Sequence, residues 1–341
     1  MFLCELTNPL EVRCTKTTIK EQVHCMHYMH LVLLGVFKRL LTIWTGDWSK
    51  KHFKHKLGTW ERAKLERRIH RIRLSYPKEF HRIPTTFKCT GQLKAKELRT
   101  LLLYTGPVIF KCVLSKEKYE HFIYLHLAIR ILCSSTLCKT YSQFARECLQ
   151  HFAYRFGEIY GNNHLIYNVH SLIHLVDDCE IHGPLDSISA FPFETYLGSM
   201  KMLVRSLNKV LAQIVRRISE LKKVSEYNQV LKPSIFNQHS KSNDLFTSLK
   251  PNTRSNSFYL CKNGAVVKVV AFSASEVKMF VAPRNFYSTP MKSTFLDIFR
   301  SSGMEGNIKG MPIEDVLLVA KCWVIPAGMT CCIVPLLHHN Y

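Results

Sequence analysis

The segment Ser257-Phe-Tyr-Leu-Cys-Lys-Asn-Gly-Ala-Val-Val-Lys-Val-Val-Ala-Phe272 divides this sequence into two parts. Residues with a period of two flank Asn263-Gly264, a dipeptide that is the strongest short hairpin signal because both residues accept positive φ angles. The segment therefore predicts a β-hairpin. Further strands are predicted at Val277–Ala282, Val316–Cys322 and Thr330–Pro335.

The residues upstream of this hairpin follow a helical period. From Tyr28 to Leu41 the apolar residues recur at intervals of three and four, with Lys38 and Arg39 outside the apolar stripe. The same pattern predicts further helices over Ala95–Tyr104, Lys118–Cys133, Ser142–Tyr160, Leu165–Asp178 and Glu194–Lys223. The sequence thus predicts an α+β protein, with a mainly helical domain over residues 1–225, a polar linker over 226–255 and a small β-rich domain over 256–341.

The charge balance favours an acidic partner. The chain has 47 Lys and Arg against 25 Asp and Glu, a formal net charge of +22 and a pI near 9.5. This charge is spread through folded segments, whereas membrane binders concentrate it on one amphipathic helix or beside a span. No run reaches the ~18 apolar residues of a membrane helix. We therefore expect DNA as the partner, with RNA as the alternative, and no membrane partner.

The N-terminus and the cysteines bear on the compartment. Residues 1–10 have neither a basic n-region nor an apolar h-region of sufficient length, so no secretory signal is predicted. The 13 cysteines have scattered spacings without a CxxC pair, which is typical of reduced, intracellular proteins. Together with the basic charge, these features predict the nucleus as the location, with the cytoplasm as the alternative.

The strongest local charge feature lies between Lys50 and Arg73, where ten basic residues face only two acids, Glu61 and Glu66. Such cations neutralise phosphates, and Trp60 could stack on an unpaired base. The alternative interpretation is a solvated helix face that binds nothing. We predict a nucleic-acid-binding surface made of Lys50, Lys51, Lys54, Lys56, Arg62, Lys64, Arg67, Arg68, Arg71 and Arg73, extended on the last helix by Lys201 and Arg205.

Three segments of the chain resemble the transposases of the CACTA (En/Spm-like) superfamily and the animal genes derived from them. The last is the most specific, because a long ordered string is hard to match by chance. The segments are Tyr28-Met-His-Leu-Val-Leu-Leu-Gly-Val36, Lys94-Ala-Lys-Glu-Leu-Arg-Thr-Leu-Leu-Leu-Tyr-Thr-Gly-Pro107, and Asn168-Val-His-Ser-Leu-Ile-His-Leu-Val-Asp-Asp178 continuing to Gly183-Pro-Leu-Asp-Ser-Ile-Ser-Ala-Phe-Pro-Phe-Glu194. The predicted β-rich domain also resembles the C-terminal tail of animal members.

The resemblance implies an RNase H-like core in which three carboxylates hold two divalent metals about 4 Å apart for phosphoryl transfer. It places the second acid at His27, where a neutral imidazole does not replace a carboxylate for Mg²⁺. The first acid belongs on an upstream strand, where only Glu5 and Glu11 are near. The third acid is assigned to Glu194, or else Glu194 is a helix N-terminal carboxylate favoured by the macrodipole. Asp186 is the other catalytic candidate.

These features favour a transposase-derived nucleic-acid-binding protein without a complete catalytic triad and without a cofactor. Two alternatives stay open. One is an active transposase or nuclease of the DDE type that uses Mg²⁺, with its acids drawn from Asp177, Asp178, Asp186 and Glu194. The other is a protein-interaction remnant without catalysis. His170 and His174 share a helix face, but they lack the glutamate of a HExxH pattern and predict structural histidines rather than a metal site.

Overall fold

The computed structural model describes residues 28–46, 55–77, 80, 82–84, 86–231, 257–263, 265–273, 276–281, 285–286, 299–301, 308–312, 318–327 and 330–337. Within them, helices occupy the part of the chain up to residue 231, and an antiparallel sheet occupies the part after residue 257. The predicted α+β class, mainly helical with a smaller C-terminal sheet, is confirmed.

The helical body begins with ten π-helical residues, Tyr28–Phe37, that continue into α1 (Lys38–Thr45). The helices that follow are α2 (Thr59–Arg73), α3 (Ala95–Thr100), α4 (Gly106–Phe110), α5 (Lys116–Cys133), α6 (Ser135–Tyr160), α7 (Tyr167–Ser171), α8 (Leu175–His182), α9 (Phe191–Met202) and α10 (Val210–Leu231). A second π-helical turn, Leu101–Thr105, joins α3 to α4.

Helices α5 and α6 form the centre of the helical body. Each begins with a serine cap: Ser115 accepts a hydrogen bond from the Lys118 amide, and Ser134 accepts one from the Leu137 amide. The second half of α5 is buried on all sides, as expected for a helix that is apolar around its whole circumference. The two helices are joined by His121, whose ring stacks on Phe152 with 4.1 Å between centroids.

The Gly106-Pro107 pair explains the π-helical turn before α4. Pro107 has no amide hydrogen, so the carbonyls of Leu102 and Leu103, which would accept from residue 107 in a π or an α register, lose that donor. Helix α5 supplies the replacement for Leu102, whose carbonyl oxygen lies 2.6 Å from Nδ1 of His126. Gly106 permits the approach of the two helices, because a Cβ there would lie 2.6 Å from the Phe122 ring.

Arg130 of α5 supplies the donor for Leu103 and also joins the helical body to the sheet. Its guanidinium is fully buried and donates to the Leu103 carbonyl over 3.2 Å and to the Pro335 carbonyl over 3.1 Å. A buried cation is tolerated when its donors meet acceptors that would otherwise lack partners. The last strand is therefore fixed to the helices by a polar contact at their shared boundary.

The sheet consists of β1 (Phe258–Cys261), β2 (Val266–Phe272), β3 (Glu276–Val281), β4 (Asn285–Phe286), β5 (Phe299–Ser301), β6 (Ile308–Pro312), β7 (Leu318–Ala327) and β8 (Thr330–Pro335). Their order across the sheet is β4-β5-β8-β7-β1-β2-β3-β6, with antiparallel neighbours throughout. The predicted hairpin is confirmed as the β1–β2 pair, where the side chain of Asn263 accepts from the Ala265 amide. Gly264 lies outside the described residues.

The sheet and the helices share one apolar core. Along β7 the side chains alternate: Trp323 and Ile325 join the core of the helical body, while Cys322 and Val324 form a smaller cluster with β1 and β2. The Trp323 ring lies 4.4 Å from that of Tyr76, centroid to centroid. The helices and the strands on either side of the predicted linker therefore pack their apolar faces together.

Some details of the predicted elements are wrong: the helix expected over Leu165–Asp178, for example, is divided by a 3-10 turn at Leu172–His174 into α7 and α8. The single helix expected over Glu194–Lys223 is broken into α9 and α10, because the chain turns at Lys209, where φ is +50°. The side chain of Gln213 stabilises this turn by hydrogen bonds to the backbone of residues 205, 206 and 208. In addition, α10 continues to Leu231, past the predicted start of the linker at residue 226.

Candidate nucleic-acid interface

Helix α2 carries the central part of the predicted basic surface. Leu65, Ile69 and Ile72 recur at intervals of four and three and are almost completely buried. This stripe packs the helix against the region of α4 and β7. Because a helix that buries one stripe presents the opposite one to solvent, the remaining side chains of α2 are held in a fixed orientation.

The exposed face of α2 is cationic and begins with an aromatic ring. Trp60 is 61% exposed, and Nζ of Lys64 lies 4.6 Å from its ring centroid. Arg67, Arg71 and Arg73 follow towards the end of the helix and are all exposed. Among the residues that the structure describes, no carboxylate forms an ion pair with these three arginines.

The acid at position 66 is turned away from this face. One oxygen of Glu66 accepts hydrogen bonds from the Phe87 amide over 2.7 Å and from the Thr86 hydroxyl over 3.0 Å. The carboxylate therefore holds the residue 86–87 segment against α2. Because this carboxylate is bound to the residue 86–87 segment, it does not neutralise the three exposed arginines, and the surface stays positive.

Other members of the predicted surface have structural contacts. Arg68 donates to the carbonyls of Val108 and Ile109, over 3.3 and 2.7 Å, and so caps the end of α4, and Lys64 donates to the Cys112 carbonyl. Arg62 donates to the Gly58 carbonyl within its own helix, and Lys56 is half-buried. Lys50, Lys51 and Lys54 lie outside the described residues.

The predicted extension on the last helix falls on α9 and the turn that follows it. Lys201 is exposed in the last turn of α9, and Arg205 is exposed in the turn. On α10 the charges are partly compensated, since Arg217 and Arg216 bind Glu220 over 2.6 and 3.0 Å. The hydrogen bond from Arg217, and to a smaller extent the one from Arg216, lowers the pKa of the Glu220 carboxyl. An ion pair thus neutralises part of the charge of α10, whereas Arg67, Arg71 and Arg73 of α2 have no such partner among the described residues.

The two catalytic candidates differ in their surroundings. Asp186 forms a two-pronged ion pair with Arg99 of α3, in which each carboxylate oxygen lies 3.0 Å from Nη2, and both side chains are largely buried. Glu194 is exposed in the first turn of α9. In the described part of the chain, no group of three or more His, Cys, Asp or Glu side chains is placed to hold a metal ion. His27, Glu5 and Glu11 lie outside it.

The histidines of α5 do not contribute to the positive surface. Burial lowers the pKa of His121 to about 4 and that of His126 to about 3, so both rings are neutral at physiological pH. His170 and His174 lie on the surface with 5.6 Å between ring centroids, and Nδ1 of His174 is 3.8 Å from Asp177. Asp177 itself is bound by Arg146 over 2.6 Å.

A cavity of about 570 Å³ lies beside α9 and was not predicted from the sequence. Its walls come from two residues that precede α3, from α3 itself and from the first turns of α9, and they include Phe80, Arg82, Lys96, Arg99, Phe191 and Tyr196. The one local signal is the spacing of Lys96 and Arg99, which places them on one helix face. The other residues are distant in sequence and are brought together only by the fold.

Comparison with known proteins gives one match. A family model described as a domain of unknown function (DUF8592) matches residues 225–336, a range that holds the end of α10 and all eight strands. No curated protein and no solved structure matches the chain. No helix among residues 28–46, 55–77 and 86–231 is long and apolar enough to cross a membrane. The cysteines in the described part of the chain carry free thiols.

Proposed function

We propose that this protein binds nucleic acid, with DNA as the main partner and RNA as the alternative, and that α2 forms the contact surface. The observation that carries the proposal is the exposed stripe of α2 with Arg67 and Arg71, which, like Arg73 at the end of the helix, have no carboxylate partner among the described residues. Phosphate groups are the natural counter-charge for such a face, and binding releases the cations condensed on the nucleic acid.

The geometry of the face suits a backbone contact. Trp60, Lys64, Arg67 and Arg71 are spaced at four, three and four residues, so they form one stripe of roughly 16 Å at a rise of 1.5 Å per residue. The buried stripe of α2 fixes the helix from which these side chains extend before binding, so the backbone does not have to be ordered on association. The Trp60 ring offers a stacking surface for an unpaired base at one end.

The proposal includes descent from a transposase of the CACTA superfamily with an incomplete catalytic triad, an RNase H-like core and action in the nucleus. The three segments that resemble the family support it. A helical insertion is implied over residues 45–180, and the described residues in that range form helices and their connections. The implied third acid, Glu194, lies in the first turn of α9, which is also where a helix N-terminal carboxylate favoured by the macrodipole would lie. No cofactor is proposed for this binding function.

The proposal is tested by fluorescence anisotropy with a labelled duplex at several salt concentrations. The variant Arg67→Glu/Arg71→Glu/Arg73→Glu should lose affinity, and the slope of log K against log salt should fall by about one for each phosphate contact removed. The matched control is Lys116→Glu/Lys139→Glu/Lys262→Glu, which changes the net charge equally at exposed positions elsewhere. Equal losses in both variants, or binding that does not respond to salt, would contradict the proposal.

A separate assay addresses the enzymatic alternative. Purified protein is incubated with supercoiled plasmid and Mg²⁺ or Mn²⁺, and nicking is followed on a gel. Metal-dependent nicking that disappears in Glu194→Gln would establish a nuclease or transposase and replace the proposed function. We expect binding without nicking.

A further inference from the structure

The cavity beside α9 combines the size of a ligand site with lining of two kinds. Its volume of about 570 Å³ falls within the range of small-molecule pockets. Phe80 and Phe191 form an apolar floor that is continuous with the core of the protein, while the ring of Tyr196 is 59% exposed at the mouth. Such a pocket suits a flat aromatic group that covers the apolar floor.

The polar part of the lining is positive. Arg82 and Lys96 are exposed at the edge of the cavity, and Arg99 lies below them with its charge balanced by Asp186. Among the described residues that line the cavity, none is an aspartate or a glutamate. The first turn of α9, with Phe191 and Pro192, adds the positive end of a helix dipole to the same wall. A negative group at the mouth would therefore be stabilised by two exposed cations and by the helix.

We propose that this cavity binds one nucleotide unit, with the base against the exposed ring of Tyr196 and the apolar wall, and the phosphate at Arg82 and Lys96. A flat aromatic group joined to a dianion matches both kinds of lining at once. An inorganic anion would leave the apolar floor uncovered, and an uncharged aromatic compound would leave the cations without a counter-charge. The ligand is a free mononucleotide or a nucleotide of an unpaired strand, since the two share this chemistry.

For the strand, the inference rests on the proposed nucleic-acid binding and adds a second contact to it. Helix α2 would bind the phosphate backbone, whereas the cavity would take a base that has left the stack. Extruded bases are commonly read by stacking between aromatic side chains in a pocket of this kind. For the free nucleotide, the inference holds without α2.

The probe is the 5′-monophosphate of 2-aminopurine deoxyriboside, whose fluorescence is quenched when the base stacks. The wild-type protein should quench it saturably, and the nucleoside without phosphate should bind at least about tenfold more weakly. Lys96→Glu and Arg82→Glu should each weaken the nucleotide by about tenfold, and Tyr196→Ala should reduce the quenching at saturation. All three side chains are exposed, so these variants should fold, which thermal melting verifies.

Two further experiments distinguish the free nucleotide from the strand as ligand, and a failure of the cavity proposal from a failure of the α2 proposal. A single-stranded oligonucleotide with one internal 2-aminopurine tests the strand, and the triple α2 variant should bind the free nucleotide as the wild type does. Equal affinity for nucleoside and nucleotide, or unchanged affinity in both Lys96→Glu and Arg82→Glu, would overturn the inference. Duplex binding without nucleotide binding rejects the cavity alone, and nucleotide binding without duplex binding rejects the α2 proposal alone.

Discussion

Helices α2 and α10 are both basic and amphipathic, yet they are used differently. Helix α2 buries its apolar stripe of Leu65, Ile69 and Ile72 and leaves its arginines exposed. Helix α10 has an apolar stripe of the same spacing, but Leu211 is 75% exposed and Leu221 is 57% exposed. The difference shows that a basic, amphipathic pattern predicts a helix but does not determine which of its faces meets the rest of the protein.

The two helices also differ in how far carboxylates neutralise their arginines. On α10, Glu220 lies one turn from Arg216 and Arg217 and binds both. On α2, the nearby Glu66 is hydrogen-bonded to the backbone at Phe87 and leaves the arginines without an acid. A local ion pair therefore neutralises part of the longer helix, while tertiary contacts keep the shorter one positive. A count of charges per segment gives no indication of this.

The comparison is tested most strongly by matched truncations in the two apolar stripes. Ile69→Ala should lower the free energy of unfolding by ~2–5 kcal/mol, because it removes a buried side chain and leaves a cavity. Leu211→Ala removes a side chain of similar size from an exposed position and should change that free energy by less than about 0.5 kcal/mol. Urea denaturation followed by circular dichroism measures both. Similar losses in the two variants would show that α10 is packed as firmly as α2.

Most of the elements could be predicted from the sequence, because they depend on local periodicity. The hairpin at Asn263, β3 and β8 follow directly from alternation and turn residues. The break between α9 and α10 could not, since Leu203 to Asn208 contain no proline or glycine and the turn is stabilised by the side chain of Gln213. The very short strands β4 and β5 carry too few residues for a periodic signal.

The candidate site was predictable only in part. The basic stretch could be found by counting charges. The sequence could not show that Arg68 is bound within the fold while Arg67 is exposed, because this difference depends on carbonyls about forty residues away in α4. The Asp186–Arg99 pair joins residues 87 positions apart, and the sequence offers no sign of it. The cavity beside α9 could not be predicted either, because most of the residues that line it are distant from one another in sequence. Long-range contacts decide which charged side chains are available for binding.

Acid should weaken the core on which α2 is packed. The pKa of an imidazole is about 6.5 in the unfolded chain, and burial lowers it to about 4 for His121 and about 3 for His126. The unfolded state therefore binds more protons below pH 6.5, so stability is complete above that pH and falls as the pH approaches 4. The expected loss is roughly 1.4 kcal/mol per pH unit for each histidine below pH 6.5, or ~4 kcal/mol in total near pH 5.

Denaturation curves between pH 7.5 and 5 measure this loss. His126→Gln keeps a donor for the Leu102 carbonyl but does not titrate, so its stability should decline less steeply than that of the wild type. An equal slope in both proteins would mean that His126 is not held neutral by the fold. Carboxylates contribute the same background to both curves, so the difference between them isolates the imidazole.

The smallest expected effect separates the two neighbouring arginines within α2. Arg68→Gln should lower the free energy of unfolding by ~1–3 kcal/mol, because the carbonyls of Val108 and Ile109 at the end of α4 lose their donor. Arg67→Gln removes the same charge from an exposed side chain and should leave stability within about 0.5 kcal/mol while it weakens duplex binding. Urea denaturation measures the free energy of unfolding of both variants, and fluorescence anisotropy measures their affinity for the duplex. If Arg68→Gln lost DNA affinity without losing stability, its contacts with α4 would be unimportant and the basic surface would extend around the whole helix. The contact between Arg68 and α4 would then not help to hold α2 in the orientation that the proposed function requires.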